Sequence, residues 1–447
     1  MRVIIIGNGV AGITAARYIR KRSDSSIWVI SDETDYFFSR TGLMYVYMGH
    51  LRPRDLKPYE DAFWPKNRIQ LVRARVTKVD FERKKVLASD GREWVYDRLV
   101  LATGSVPRKL GWPGQDLAGV QGLYHWQDLQ AMEHYSRGLQ RAVVVGGGLI
   151  GIEMAEMFHS RRIPVTFLVR EASFWSDVLP SEESAMVNRH LREHGIDLRL
   201  QTELREILPD EQGRCRAVRT SHGEEIPCGF VGLTVGVRPN VDFLRNSPLE
   251  INQGILVDRY LRTNMPDVYA VGDCAEVRHP QPGRRPVEAV WYTARLMGET
   301  VARTVCGQPT PYEPGIWFNS AKFFDIEYQT YGNVPPVLPP ESETLYWEHP
   351  EGRKSIRIHY DRQSGAVKGF NLMGIRYRQA VCEQWLAQGA HVESVLENIG
   401  AANFDPEFSP QYEAELAELY YRKTGRYVRA KQRRALWPWT ARLWPQR

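Results

Sequence analysis

The 447 residues are enough for about three domains at ~150 residues each, and 43% apolar with 25% charged residues is the composition of a folded globular protein, which excludes a disordered or fibrous chain. No run approaches the ~18 apolar residues of a membrane-spanning helix, and the five cysteines (Cys215, Cys228, Cys274, Cys306 and Cys382) include no C-x-x-C pair, so an N-terminal redox dithiol is excluded and neither a disulfide scaffold nor a zinc ribbon is expected. The net charge of +6 is uneven: residues 426–447 hold seven Arg or Lys and no acid, so the body is close to neutral and the basicity belongs to a tail.

The first thirty residues predict a βαβ unit. Residues 3–6 read as a strand buried on both faces, 13–21 as a helix and 27–30 as a second buried strand. That apolar start is too short for a secretory leader and lacks a cleavage site, so a cytoplasmic protein is expected. Gly7-x-Gly9-x-x-Gly12 opens the helix. One glycine permits the tight turn, one lets backbone approach a pyrophosphate, and one lets helix and strand pack closely. The helix N-terminus offers free N–H groups to phosphates. Glu33, 21 residues past Gly12, is placed to accept hydrogen bonds from an adenosine ribose.

The pattern then recurs. Residues 143–145, the glycines Gly146, Gly148 and Gly151, a helix from Ile152 and a strand at 165–168 repeat the unit 139 residues later. Two such units imply two dinucleotide sites. Residues 96–107 and 229–239 mirror each other, each a buried strand closed by G-x-x-P, at Gly104 to Pro107 and Gly236 to Pro239. They bracket the second unit. The reading is an insertion: 108–238 is one nucleotide domain placed inside another made of 1–107 and 239–312.

Farther on, 267–273 runs through apolar residues into Gly272-Asp273, with a helix expected next. Residues 313–425 are richer in Phe, Tyr and Trp and predict an α+β domain, with strands at 355–360 and 366–372 and a helix at 376–387. Trp291 and Tyr292 are read as preceding a helix. The histidines are read as lacking metal-ligand spacing, and no metal is expected. The tail 426–447 carries Arg433, Arg434, Trp437, Trp439 and Trp444, and Pro438 and Pro445 forbid a long helix. Its alternatives are docking to an acidic electron carrier, peripheral membrane contact, or no docking role, with the tail wrapping its own dimer partner or disordered. Nucleic-acid binding is not expected from a neutral body.

Taken in this order, GNGVAG, Glu33, the ATG of Ala102, Thr103 and Gly104, GGGLIGIE, and the AVGD ending in Gly272 and Asp273 resemble the two-dinucleotide-binding-domain flavoproteins, the pyridine nucleotide–disulfide oxidoreductases. The resemblance covers about 1–310. It implies an α/β fold of two Rossmann-like domains, one inserted in the other, with a C-terminal α+β interface domain and a homodimer. It implies FAD on Gly7, Gly9, Val10, Ala11, Gly12 and Glu33, with Asp273 on the ribityl chain and Val76 against the adenine. It implies a nicotinamide cofactor on Gly146, Gly148, Ile150, Gly151 and Gly236.

The departures narrow the activity. Disulfide reductases of this family carry a redox cysteine beside the flavin, and here that position is Thr41, within Ser39-Arg40-Thr41-Gly42-Leu43-Met44-Tyr45. A hydroxyl cannot relay electrons as a thiolate does. The Ser-Arg start resembles the ferredoxin- and rubredoxin-reductase branch, although the lysine of that branch is Tyr45 here, which puts the pairing role of Glu153 in question. Arg40, Thr41 and Trp291 are candidate flavin contacts. Thr41 and Glu153 are the candidate catalytic positions, with the chemistry itself carried by the flavin. For the nicotinamide cofactor two alignments compete: on the strand, Val169 takes the acid position and Arg170 the 2′-phosphate position, whereas on the first repeat Glu171 matches Glu33. Dual use of NADH and NADPH is expected. The expected activity is an FAD-dependent NAD(P)H oxidoreductase passing electrons to a small redox protein. A membrane-held quinone reductase and a flavin-binding sensor are the alternatives.

Overall fold

The computed structural model describes residues 1–405 and 410–431. The tail residues singled out above, from Arg433 to Trp444, lie outside the described residues. The chain divides into two compact units. Met1–Trp175 and Asn188–Gly315 make the first, and Ser176–Val187 joins the described residues from Ile316 onward in the second.

Two five-stranded parallel sheets form the first unit. In one, the strand Arg2–Ile6 lies between Ser26–Ser31 and Arg98–Leu101, with Ile69–Arg73 and Val268–Ala270 at the edges. In the other, Ala142–Val145 lies between Val165–Leu168 and Phe230–Leu233, with Asp197–Arg199 and Val120–Gln121 outside. In each sheet the strand that feeds a glycine fingerprint has partners on both sides. That is why both read as unbroken apolar runs: Val3, Ile4 and Ile5, like Ala142, Val143 and Val144, are fully buried. Short antiparallel strands Ser105–Pro107 and Val237–Pro239 pair with each other. The two G-x-x-P segments are thus hydrogen-bonded neighbours.

Two local expectations are corrected. No α-helix follows Asp273 directly: Gly272–Cys274 is a single 3₁₀ turn, and the chain leaves it as the strand Ala275–Val277, parallel to Ile255–Val257. Trp291 and Tyr292 do not precede a helix but open one, Trp291–Val305. That helix packs tightly on the first fingerprint helix, Val10–Arg20, where a Cβ on Gly298 would fall 2.5 Å from the Ala11 carbonyl oxygen.

The second unit is a five-stranded antiparallel sheet in the order Phe318–Phe323, Ile326–Gly332, Val367–Met373, Ser355–Asp361, Ser342–Glu348. Helices Gln379–Ala387, Val392–Asn398 and Glu413–Thr424 share a core with its Ile356, Ile358 and Phe370.

Candidate functional site

The three glycines of the first fingerprint do three different jobs. Gly7 has φ +113°, and a Cβ there would fall 2.0 Å from the Ala102 carbonyl oxygen, so only glycine fits between the two strands. A Cβ on Gly12 would fall 2.1 Å from the Gly7 carbonyl oxygen, so this glycine brings helix and strand together. Around Gly9 nothing lies within 4 Å of a Cβ. That open space lies at the N-terminus of the helix Val10–Arg20, which no side chain caps. Uncapped N–H groups and the helix dipole suit a phosphate.

The second fingerprint repeats this division of labour. Gly146 has φ +109° and would meet the Thr234 carbonyl oxygen at 2.7 Å, Gly151 would meet the Gly146 carbonyl oxygen at 2.3 Å, and Gly148 faces open space before the uncapped helix Leu149–Ser160. Strand register matches the acids. Ile6 pairs with Ile30 and Val145 with Leu168, so Glu33 and Glu171 each stand three residues beyond the equivalent position. Val169 is fully buried. Arg170 is 69% exposed and forms an ion pair with Glu171 at 2.8 Å.

A cavity of about 850 Å³ opens at the first fingerprint, within the ~300–1,000 Å³ usual for ligand sites. Gly7, Gly9, Val10, Ala11, Glu33, Arg40, Thr41 and Val76 line it. So do Ala102, Thr103, Gly104, Gly272, Asp273 and Trp291. Ile150 and Glu153, on the second fingerprint helix, line the same cavity. Gly12, Gly146, Gly148, Gly151, Arg170, Glu171 and Gly236 do not. Among the described residues no cysteine lines it. Cys274, next to Asp273, is fully buried, and burial raises its thiol pKa.

Two acids line the cavity. Glu33 receives both guanidinium nitrogens of Arg40, at 2.8 and 2.6 Å, and the Trp126 backbone N–H at 2.8 Å. Burial pushes its carboxyl up, but the Arg40 hydrogen bonds and charge outweigh burial and hold it below the ordinary carboxylate value. Asp273 accepts a hydrogen bond from the Tyr124 hydroxyl at 3.0 Å, and burial raises its pKa. Thr41 Oγ1 lies 3.2 Å from Ser39 Oγ.

Reading the sequence missed residues 123–128, of which Leu123, Tyr124, His125 and Gln127 line the cavity. Gln127 donates from its side chain to the Glu33 carbonyl oxygen at 2.8 Å, and Asp128 caps the next helix by accepting from the His125 backbone N–H. The histidine reading is also corrected: His190, on the helix Ser181–Glu193, and His194, just past its end, do stand at H-x₃-H spacing, with ring centroids 4.4 Å apart.

The sequence profile described as "Pyridine nucleotide-disulphide oxidoreductase" matches residues 1–298. The chain belongs to this family. It is an oxidoreductase of the FAD-dependent class that uses NAD(P)H. It is 32% identical over 341 residues, 74% of this chain and 81% of the relative, to the 5,5′-dehydrodivanillate O-demethylase ferredoxin reductase subunit of a Sphingobium species. It is 28% identical over 400 residues to the nitrite reductase [NAD(P)H] of Bacillus subtilis; this spans 89% of the chain and 47% of that longer relative, so the chain covers about half its length. The ferredoxin reductase for the CYP199A2 system from Rhodopseudomonas palustris superposes with a TM-score of 0.76 at 25% identity, covering 83% of this chain and 91% of that one. No helix of the described residues is long and apolar enough to cross a membrane.

The residues present fit FAD. Open space at Gly9, uncapped N–H groups, and two acids, Glu33 and Asp273, lining one cavity suit a pyrophosphate flanked by two polyol groups.

Proposed function

We propose that this chain is an NAD(P)H-dependent reductase of a small electron-carrier protein of the ferredoxin or rubredoxin kind. The observation that carries this reading is the sharing of one cavity by the two nucleotide units: Ile150 and Glu153 from the second face the same space as Gly9, Thr41 and Asp273 from the first. A nicotinamide held on the second fingerprint can then reach a flavin held on the first. FAD, when bound, would supply a hydride acceptor and a donor of single electrons. The protein binds, orients and shields.

Each side chain has a role in that scheme. Gly7, Gly9, Gly12 and the helix they open hold the pyrophosphate of FAD, and Glu33 with Arg40 holds the adenosine side. Asp273 would hold the ribityl chain, and Thr41 and Trp291, which line the same cavity, would contact the flavin. Gly146, Gly148 and Gly151 hold the nicotinamide cofactor, with Glu171 and Arg170 offering an acceptor for ribose and a cation for a 2′-phosphate. Residues 1–107 with 239–312 serve as the FAD domain, 108–238 as the nicotinamide-cofactor domain, and 313–425 as the interface of a cytoplasmic homodimer. With Thr41 in place of a cysteine, the chain offers no thiol there that would relay electrons from a bound flavin. The relative named as a ferredoxin reductase subunit supports a protein acceptor. The quinone alternative draws on tail residues outside the described part of the chain.

Anaerobic stopped-flow at the flavin band tests the first half, mixing holoprotein with NADH and NADPH separately. Rapid bleaching by both is expected. Cytochrome c reduction that depends on added ferredoxin or rubredoxin tests the second half. No bleaching by either nucleotide, or equal cytochrome c reduction without a carrier, would overturn the reading.

A further inference from the structure

Tyr124 lies on the segment between the Val120–Gln121 strand and the helix Trp126–Tyr135, far in sequence from the first fingerprint and from Asp273. Its hydroxyl lies 3.0 Å from the Asp273 carboxylate. The Ser105 backbone N–H donates to the same phenol oxygen at 3.0 Å. A phenol oxygen that accepts there has one proton left to direct, and the carboxylate receives it. Burial raises the phenol pKa well above its ordinary value, so the proton stays on oxygen. Tyr124 also meets Arg40, which lies over its ring, 4.5 Å from the centroid, and donates to its backbone carbonyl. Arg40 in turn holds Glu33 with two hydrogen bonds.

We propose that Tyr124 is a positioning residue for the flavin cofactor: its hydroxyl fixes the Asp273 carboxylate for the ribityl chain, while its backbone and ring brace the Arg40–Glu33 pair for the adenosine. The inference rests on reading this cavity as the FAD site. A carboxylate held at one oxygen by a neutral donor keeps its remaining lone pairs for a ligand hydroxyl, and does so in one rotamer. Preorganisation of this kind lowers the ordering cost of binding and shows mainly in the rate of release.

The test is the rate of FAD release from full-length holoprotein, followed by the rise of flavin fluorescence on dilution. Tyr124→Phe keeps the ring over Arg40 and removes only the hydroxyl. Release about tenfold faster is expected, the effect of losing one hydrogen bond to a charged group. In an Asp273→Ala background the same change is expected to alter release by less than about twofold, because the hydroxyl then has nothing to hold. A similar acceleration in both backgrounds, which a purely structural role produces, overturns the proposal. So does unchanged release in the single variant. If Tyr124→Phe does not fold, Tyr124→Met lacks the hydroxyl too and carries the same expectation in both backgrounds. Wild-type protein that retains no FAD overturns the assignment of the cavity instead, a distinct result.

Discussion

A carboxylate buried beside one guanidinium has its charge state set by that neighbour. Glu33 is such a group, with 9% of its side chain exposed and Arg40 holding both oxygens. Its folded pKa is lowered, so its contribution to stability is present above the ordinary value of 4.5 and is lost as pH falls through the lowered folded value. Arg40→Gln removes the dominant cation and leaves the burial. The carboxyl of that variant then titrates above the ordinary value, and keeping it charged at neutral pH costs stability. Breaking a fully buried pair costs ~3–5 kcal/mol, and about 2–3 kcal/mol is expected here because Arg40 is 28% exposed and the Trp126 N–H remains. Urea unfolding of the flavin-free protein at pH 7 and pH 4 checks the sign. The gap between wild type and variant should shrink at pH 4, where the variant is relieved by protonation. A constant gap would show that the loss is one of packing and not of charge.

At the scale of the element, a strand, a glycine turn and a helix make one nucleotide cradle, and substitution can separate the parts. Gly9→Val puts a side chain where nothing lies within 4 Å of a Cβ, so the chain should fold with a melting temperature near wild type yet take up no FAD. Gly12→Ala drives a Cβ to within 2.1 Å of backbone, so loss of the fold itself is expected. Gly148→Val should leave a yellow protein that NAD(P)H no longer bleaches. Circular dichroism, flavin absorbance and stopped-flow on the three variants distinguish these outcomes; a colourless but folded Gly148→Val protein would contradict the division of labour. This element could be read from sequence because its constraints are local: glycine spacing, a buried strand before and a helix after. Residues 123–128 could not. The partners of Tyr124 and Trp126 are Asp273 and Glu33, 149 and 93 residues away, and no periodicity records such contacts. The helix expected after Asp273 failed for a related reason. Gly272 turns the chain at φ +72° into a strand whose partner, Ile255–Val257, is set by the sheet and not by the local sequence.

The division of the whole molecule turns on the segment Ser176–Val187, which belongs with the C-terminal unit although the sequence places it inside the second nucleotide region. Within that unit the strand Ser355–Asp361 is buried on both faces. Ile356 and Ile358 face the helical core, whereas Arg357, on the opposite face, holds Glu183 through hydrogen bonds of 2.7 and 2.8 Å and Glu182 at 2.8 Å. Arg357 is 5% exposed and Glu183 not at all. The pattern of apolar residues predicts an α+β domain here but carries no trace of this pair, because a glutamate and an arginine in a sequence normally mean solvent. Removing one partner strands the other, so Arg357→Met should cost about 3–5 kcal/mol. Replacing both, as Glu183→Leu with Arg357→Met, should restore most of that loss, since well-packed apolar residues are often neutral or stabilising where a buried pair has been. Urea unfolding of the two variants, followed by tryptophan fluorescence, measures the difference. A double variant no more stable than the single one would mean that the pair fixes the path of Ser176–Val187 on the sheet in a way apolar packing cannot replace.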